Sequence, residues 1–124
     1  MKAQYDNISK KFKKADETFP DITRPILHSL VKNKKGKFLD LGCGYGEDLL
    51  YFQKKGFKVY GIDVSKEMVK ESKLKCKKAK VYTSKFKKTP FKDKTLNTIF
   101  SRYAFQHAKN IAPIFKEVHR ILKK

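Results

Sequence analysis

One short run constrains this chain more than any other: Phe38-Leu39-Asp40-Leu41-Gly42-Cys43-Gly44-Tyr45-Gly46. The apolar residues read as a buried strand over 37–41, and Glu47-Asp48-Leu49-Leu50 opens a helix read over Glu47 to Lys55. Three glycines at alternate positions between them imply a tight corner. Such a corner needs positive φ or close backbone approach, and glycine permits both. Bare backbone leaves a flat shelf over the strand's C-terminal end, the place where ligands settle on an open α/β sheet. The helix N-terminus beside the shelf offers free N–H groups to an acidic moiety such as a carboxylate. Asp40, at the strand's end, could attract a ligand ammonium.

The rest of the chain repeats this strand-to-helix alternation. Tyr5, Ile8, Phe12 and Ala15 fall at helical spacing, and Phe19-Pro20-Asp21 breaks that pattern. Asp21 could cap a helix from Ile22 to about Val31, with Ile26, Leu27, Leu30 and Val31 inward. Gly56 closes the helix that follows the glycine run. Phe57 to Val64 reads as a second strand, and Ser65 caps the next helix, with Met68 and Val69 inward. Lys80 to Ser84 and Leu96 to Ser101 read as third and fourth strands, with Pro90 and Phe91 in a loop. A turn of helix could lie between those strands. Pro113 opens the last helix in the manner of a first-turn proline, with Ile114, Phe115, Val118, Ile121 and Leu122 on its apolar side. Alternating strands and helices argue for an α/β fold with a parallel sheet. The 124 residues suit a single domain.

Asp63 closes the second strand, 17 residues after Gly46. An acid at that place hydrogen-bonds the two hydroxyls of a ribose. It could instead cap the turn before Ser65. A glycine-rich turn with acids on two strands suits a ligand with an amino-acid end and a nucleoside end.

With these residues in view, LDLGCGYGEDLL and YGIDVSKEMV resemble motifs I and II of class I S-adenosylmethionine (SAM)-dependent methyltransferases. The nearest subgroup is the small-molecule enzymes of quinone- and biotin-pathway type. The resemblance runs from about Tyr5 to Lys124 and implies a Rossmann-like three-layer fold with strand order 3-2-1-4. Residues 1–35 would be a helical lid and 36–124 the core. The family's Pro-Gly-Gly turn and three further strands do not follow EVHRILKK, which leaves the fourth strand as an edge. The implied cofactor is SAM, with S-adenosylhomocysteine (SAH) as product. Asp40, Gly42, Gly44 and Gly46, with Cys43 among them, would floor its methionine side. Asp63 would take the ribose, and Val64 and Met68 would flank the adenine. Met68 could equally be core. TPFKDKTLNTIFSRYAFQH resembles the family's LPF-x-DxxFDxVxSxxxxHH segment and places Ser101 and Arg102 near the methionine moiety. Tyr5 and Phe12 match aromatic positions that lid the cofactor. Lys85 stands where the family often has an acid for the adenine amine, so Phe86 could stack there instead. Leu96-Asn97 replaces the usual Phe-Asp.

His107 could be a general base near the acceptor, or equally a capping or surface histidine. Cys43 reads as a small buried residue and not a nucleophile. His28 and His119 read as structural or exposed, and no His/Cys cluster has metal spacing. The Asp/Asn-Pro-Pro-Tyr signature of exocyclic-amine methylation is absent at Ser101-Arg102-Tyr103-Ala104, which argues against a nucleic-acid base N-methyltransferase of that type.

The net charge of +19 invites a nucleic-acid reading. Arg, the better phosphate-recognition side chain, supplies only three of the 31 cations, and Lys is spread along the chain. A general Lys bias on solvated faces is therefore favoured over an RNA-binding patch at Lys70–Lys94. No apolar run approaches a membrane span. Two cysteines and no apolar leader suggest reduced thiols and a cytoplasmic setting. Two functions remain open. One is methyl transfer from SAM to a small-molecule acceptor; the other is a SAM- or SAH-binding module that pairs with itself or with a companion subunit covering the fourth strand. An RNA methyltransferase is a weaker third.

Overall fold

The computed structural model describes residues 23–31, 35–102, 105 and 108–123. The expected N-terminal helix with Tyr5 and Phe12 lies outside these residues, as do Tyr103 and His107. In chain order the elements are α1 (Thr23–Ser29), β1 (Lys37–Leu41), α2 (Glu47–Lys54), β2 (Lys58–Asp63), α3 (Lys66–Lys75), β3 (Lys80–Thr83), β4 (Thr98–Phe100) and α4 (Ala112–Ile121). The strands form one parallel sheet in the order β3-β2-β1-β4, as the alternation and the resemblance implied.

The core forms because β1 and β2 are buried on both faces, which requires near-continuous apolar sequence. Successive side chains point to opposite faces. Phe38, Val59, Val81 and Phe100 meet Leu49 and Phe52 of α2 and Val69 of α3. Phe38 and Phe52 stack at 4.3 Å between ring centroids. On the other face Leu39, Leu41, Tyr60 and Ile62 meet Ile114 and Ile121 of α4.

The helix ends follow their sequence signals. Ser65 caps α3, its Oγ accepting the Met68 amide at 3.2 Å. Gly46 at φ +96° precedes α2, and Glu47 and Asp48 place negative charge in its first turn, where the helix dipole favours it. Pro113 stands second in α4 and not first. Asn110 Oδ1 accepts the Ala112 amide at 3.1 Å and so starts the helix one residue earlier.

Four expectations change. Ile26 and Leu30 are 63% and 64% exposed. Leu27 and Val31 pack on the core as expected, and His28 joins them in place of Ile26 and Leu30. Phe115 is also exposed, edge-on to Phe105. Residues 84–97 hold no helical turn; they are pinned by a Lys85–Lys88 bridge. Finally, β4 is only three residues long, because Leu96 leaves the β1 ladder and pairs in parallel with Leu122. The Lys123 amide reaches Leu96 O at 2.7 Å, so the segment after α4 covers the start of that edge. The Leu96-Asn97 departure has a local role as well: Asn97 Oδ1 accepts the Lys37 amide at 2.9 Å and closes the entry to β1.

Candidate functional site

At the C-terminal end of β1 the chain turns over its neighbour. The amides of Gly42 and Cys43 both donate to Ile62 O, at 2.8 and 3.0 Å. That anchors the corner to β2 before α2 begins. Gly44, at φ +55°, is held from two sides. Its amide donates to Asp63 Oδ2 at 3.0 Å, and its carbonyl accepts from Ser72 Oγ of α3 at 2.6 Å. A Cβ on Gly44 would meet nothing within 4 Å, whereas one on Gly46 would stand 3.0 Å from the Ser72 Cα. The two glycines therefore serve different ends. Gly46 lets α3 pack against the corner; Gly44 leaves open space above it.

Asp63 is 1% exposed. Its second oxygen, Oδ1, accepts the Ser65 amide at 3.0 Å, so it does cap the turn, as one reading allowed. The backbone carbonyl of Asp63 accepts the Ser84 amide at 2.9 Å. That ties the site to the turn after β3 that carries Lys85 and Phe86. Lys85 is exposed, and Phe86 packs on the face of Leu39, Leu41, Tyr60 and Ile62. Val64 is half-buried and Met68 nearly fully buried beside the Ser65 cap.

Cys43 turns its side chain down into the core, where it packs over Gly61: a Cβ on Gly61 would lie 3.0 Å from Cys43 Sγ. Burial pushes its thiol well up, with Asp40 and Asp63 adding to the effect, so it is not a ready nucleophile. Only its backbone is left to line the shelf.

Asp40 faces the α2 side of the sheet and is 1% exposed. Its Oδ1 has no hydrogen-bond partner among the described residues. Burial pushes this carboxyl well up, followed by repulsion from Asp48 and Asp63, while Arg24 opposes.

Asp48, in the first turn of α2, is the anchor that sequence reasoning missed. His28 Nε2 approaches its Oδ1 at 2.5 Å, Arg24 Nε lies 3.2 Å from Oδ1, and Arg102 Nε lies 3.4 Å from Oδ2. The His28 ring stacks on Tyr51 at 3.9 Å. α1, α2 and the end of β4 are thus joined through one carboxylate. The available signal was an acid just after the glycine run with Arg and His four residues apart on α1. Ser101 joins the same end, its Oγ donating to Leu41 O at 2.8 Å.

Asp40, Gly42, Gly44, Gly46, Asp63, Ser101 and Arg102 therefore gather at the C-terminal ends of β1, β2 and β4. Among the described residues no three His, Cys, Asp or Glu side chains converge on a metal site.

This parallel sheet with its glycine corner is a Rossmann-like fold, and comparison with known proteins narrows the class. Residues 39–124 match the methyltransferase-domain family. The chain is 30% identical over 90 residues to the malonyl-[acyl-carrier protein] O-methyltransferase of Hamiltonella defensa, an alignment spanning 73% of this chain and 35% of that one. A SAM-dependent methyltransferase from Aquifex aeolicus superposes with a TM-score of 0.73 at 30% identity, over 93% of this chain and 67% of that one. A methyltransferase of Haloferax volcanii, in complex with the Trm112 methyltransferase activator, superposes at 0.84 and 24% identity, over 96% and 55%, and speaks for the fold alone. The chain belongs to the methyltransferase-domain family. It spans less than half the length of the curated relatives it matches.

Proposed function

We propose that this chain binds SAM at the corner of residues 42–46 and supports methyl transfer to a small-molecule acceptor. The observation that carries the reading is the open space over Gly44, whose amide is held by the buried carboxylate of Asp63. The group fits these residues. An amino-acid end meets Asp40, whose Oδ1 has no partner among the described residues, and the α2 N-terminus with Arg102 beside it. A ribose meets Asp63, whose oxygens accept the Gly44 and Ser65 amides and whose carboxylate has several acceptor lone pairs. Val64 and Met68 flank the adenine, and Phe86 stands at its outer side. When bound, SAM supplies an already activated methyl on a sulfonium. The protein's part is then to orient the acceptor in line and to exclude water. His107 is the proposed base for acceptors that need one, and Tyr5 and Phe12 the proposed lid.

A second reading has its own observation. The outer edge of Thr98–Phe100 has no strand partner among the described residues, and exposed edges invite pairing. On this reading the chain holds SAM or SAH as a module completed by a second copy or another subunit. Labelled SAM separates the cases. Saturable binding with transfer to small molecules in a cell extract supports the enzyme. Saturable binding with no transfer supports the module, and no binding overturns both.

A further inference from the structure

Three carboxylates surround the corner, and they are satisfied unequally. Asp63 accepts two backbone amides, and Asp48 is ringed by His28, Arg24 and Arg102. Asp40 lies between them, as deeply buried as Asp63, with Oδ1 unpartnered among the described residues.

We propose that Asp40 is a proton-exchange seat: it holds a proton while no cation faces it, and yields that proton to solvent when a ligand ammonium binds over residues 42–44. This rests on the proposed SAM site and adds a selection rule to it. The site takes ligands whose amino-acid end is cationic.

The groups facing Asp40 make the case. Asp48 faces it from α2 and Asp63 from β2, and both disfavour a further negative charge, while the Cys43 thiol at the corner is neutral and offers no countercharge. Arg24 of α1 opposes them, and its Nε lies 3.2 Å from Asp48 Oδ1. From β4, the residue in register with Asp40 is the apolar Phe100. His28 and Arg102 face Asp48. A buried carboxyl without a partner is cheaper neutral than charged. An arriving ammonium reverses that preference. The carboxylic O–H gives its proton to water and the carboxylate pairs with the ammonium. One positive charge leaves and one enters, with no bond in the ligand made or broken.

The test is calorimetry of SAM, SAH and adenosine in two buffers of different ionisation heat at neutral pH. SAM and SAH should each release about one proton, and adenosine, which lacks the ammonium, none. Asp40→Asn should abolish the release and shrink the preference for SAH over adenosine by roughly tenfold. Carbon-13 NMR of the Asp40 carboxyl in ligand-free wild-type protein needs no variant, and should show the protonated form at neutral pH. An ionised Asp40 in the free protein overturns the proposal, as does SAM binding without proton release. Failure of SAM and SAH to bind at all overturns the functional reading instead, and the exchange with it.

Discussion

The carboxylate of Asp63 reaches from the end of β2 to the backbone of Gly44, 3.0 Å away, and with its other oxygen holds the Ser65 amide. One buried side chain thereby sets both the glycine corner and the start of α3. Asp63→Ala leaves two sheltered amides without acceptors. It should lower stability by about 1–3 kcal/mol in urea unfolding. Asp63→Asn keeps one acceptor oxygen and should lie between the variant and wild type.

Gly44 and Gly46 should respond differently to alanine. At Gly44 the added methyl meets open space, so the cost is left-handed strain, about 1–2 kcal/mol, and the protein folds. The methyl then occupies the shelf, so SAM binding should fail in a folded protein. At Gly46 the methyl also meets the Ser72 Cα at 3.0 Å, and backbone cannot rotate aside. Strain and overpacking together should cost about 2–4 kcal/mol. Circular dichroism melts paired with SAM titration separate the two effects.

Replacing Asp48 by Ala removes the carboxylate that His28, Arg24 and Arg102 share. Removing one partner of a buried charge cluster typically costs about 3–5 kcal/mol. α1 is held to the core partly through this cluster. Amide hydrogen exchange across residues 23–31 should therefore accelerate well before exchange in β1 does.

Acid stability should carry a signature of Glu117. Its carboxylate accepts from Arg120 and from the amide and hydroxyl of Thr89, which fastens the 89–93 loop to α4. The Arg120 hydrogen bonds, ahead of those from Thr89 and against burial, lower its pKa from 4.5 to about 2. A carboxyl lowered on folding stabilises the protein fully above 4.5, and that contribution is lost as pH falls toward 2. Glu117→Gln should flatten the acid limb of the stability profile between those values and leave the slope near neutrality unchanged.

Much of this architecture was legible because it is written in local chemistry. The β1 run, the glycine corner and the Ser65 cap each specify their own backbone, and strand-helix alternation then fixes a parallel sheet. What escaped depends on partners distant in sequence. Apolar spacing on α1 put Ile26 and Leu30 inward beside Leu27 and Val31, whereas the partnership of His28 with Asp48 turns the helix so that His28 is buried and those two are exposed. The shortening of β4 follows from Leu122 competing for Leu96. The inward turn of Cys43 follows from the missing Cβ of Gly61 on the neighbouring strand. Within the site, the positions of Asp40 and Asp63 at the strand ends followed from the strand-to-helix pattern, and those of Ser101 and Arg102 from the family resemblance. That Asp40 Oδ1 has no partner among the described residues did not follow from either, since it depends on where its neighbours' donors point.

Equilibrium dialysis of labelled SAM against wild-type protein and Asp63→Asn tests the central claim most directly, with folding of both checked in the same buffer. A single saturable site in wild type, at least about tenfold weaker in the variant, is the predicted result. At 100 times its Kd, SAM should also add about 2.7 kcal/mol to wild-type stability. Equal affinity for two folded proteins, or no saturable site in either, would contradict a nucleoside seat built on Asp63 and the bare backbone of Gly44.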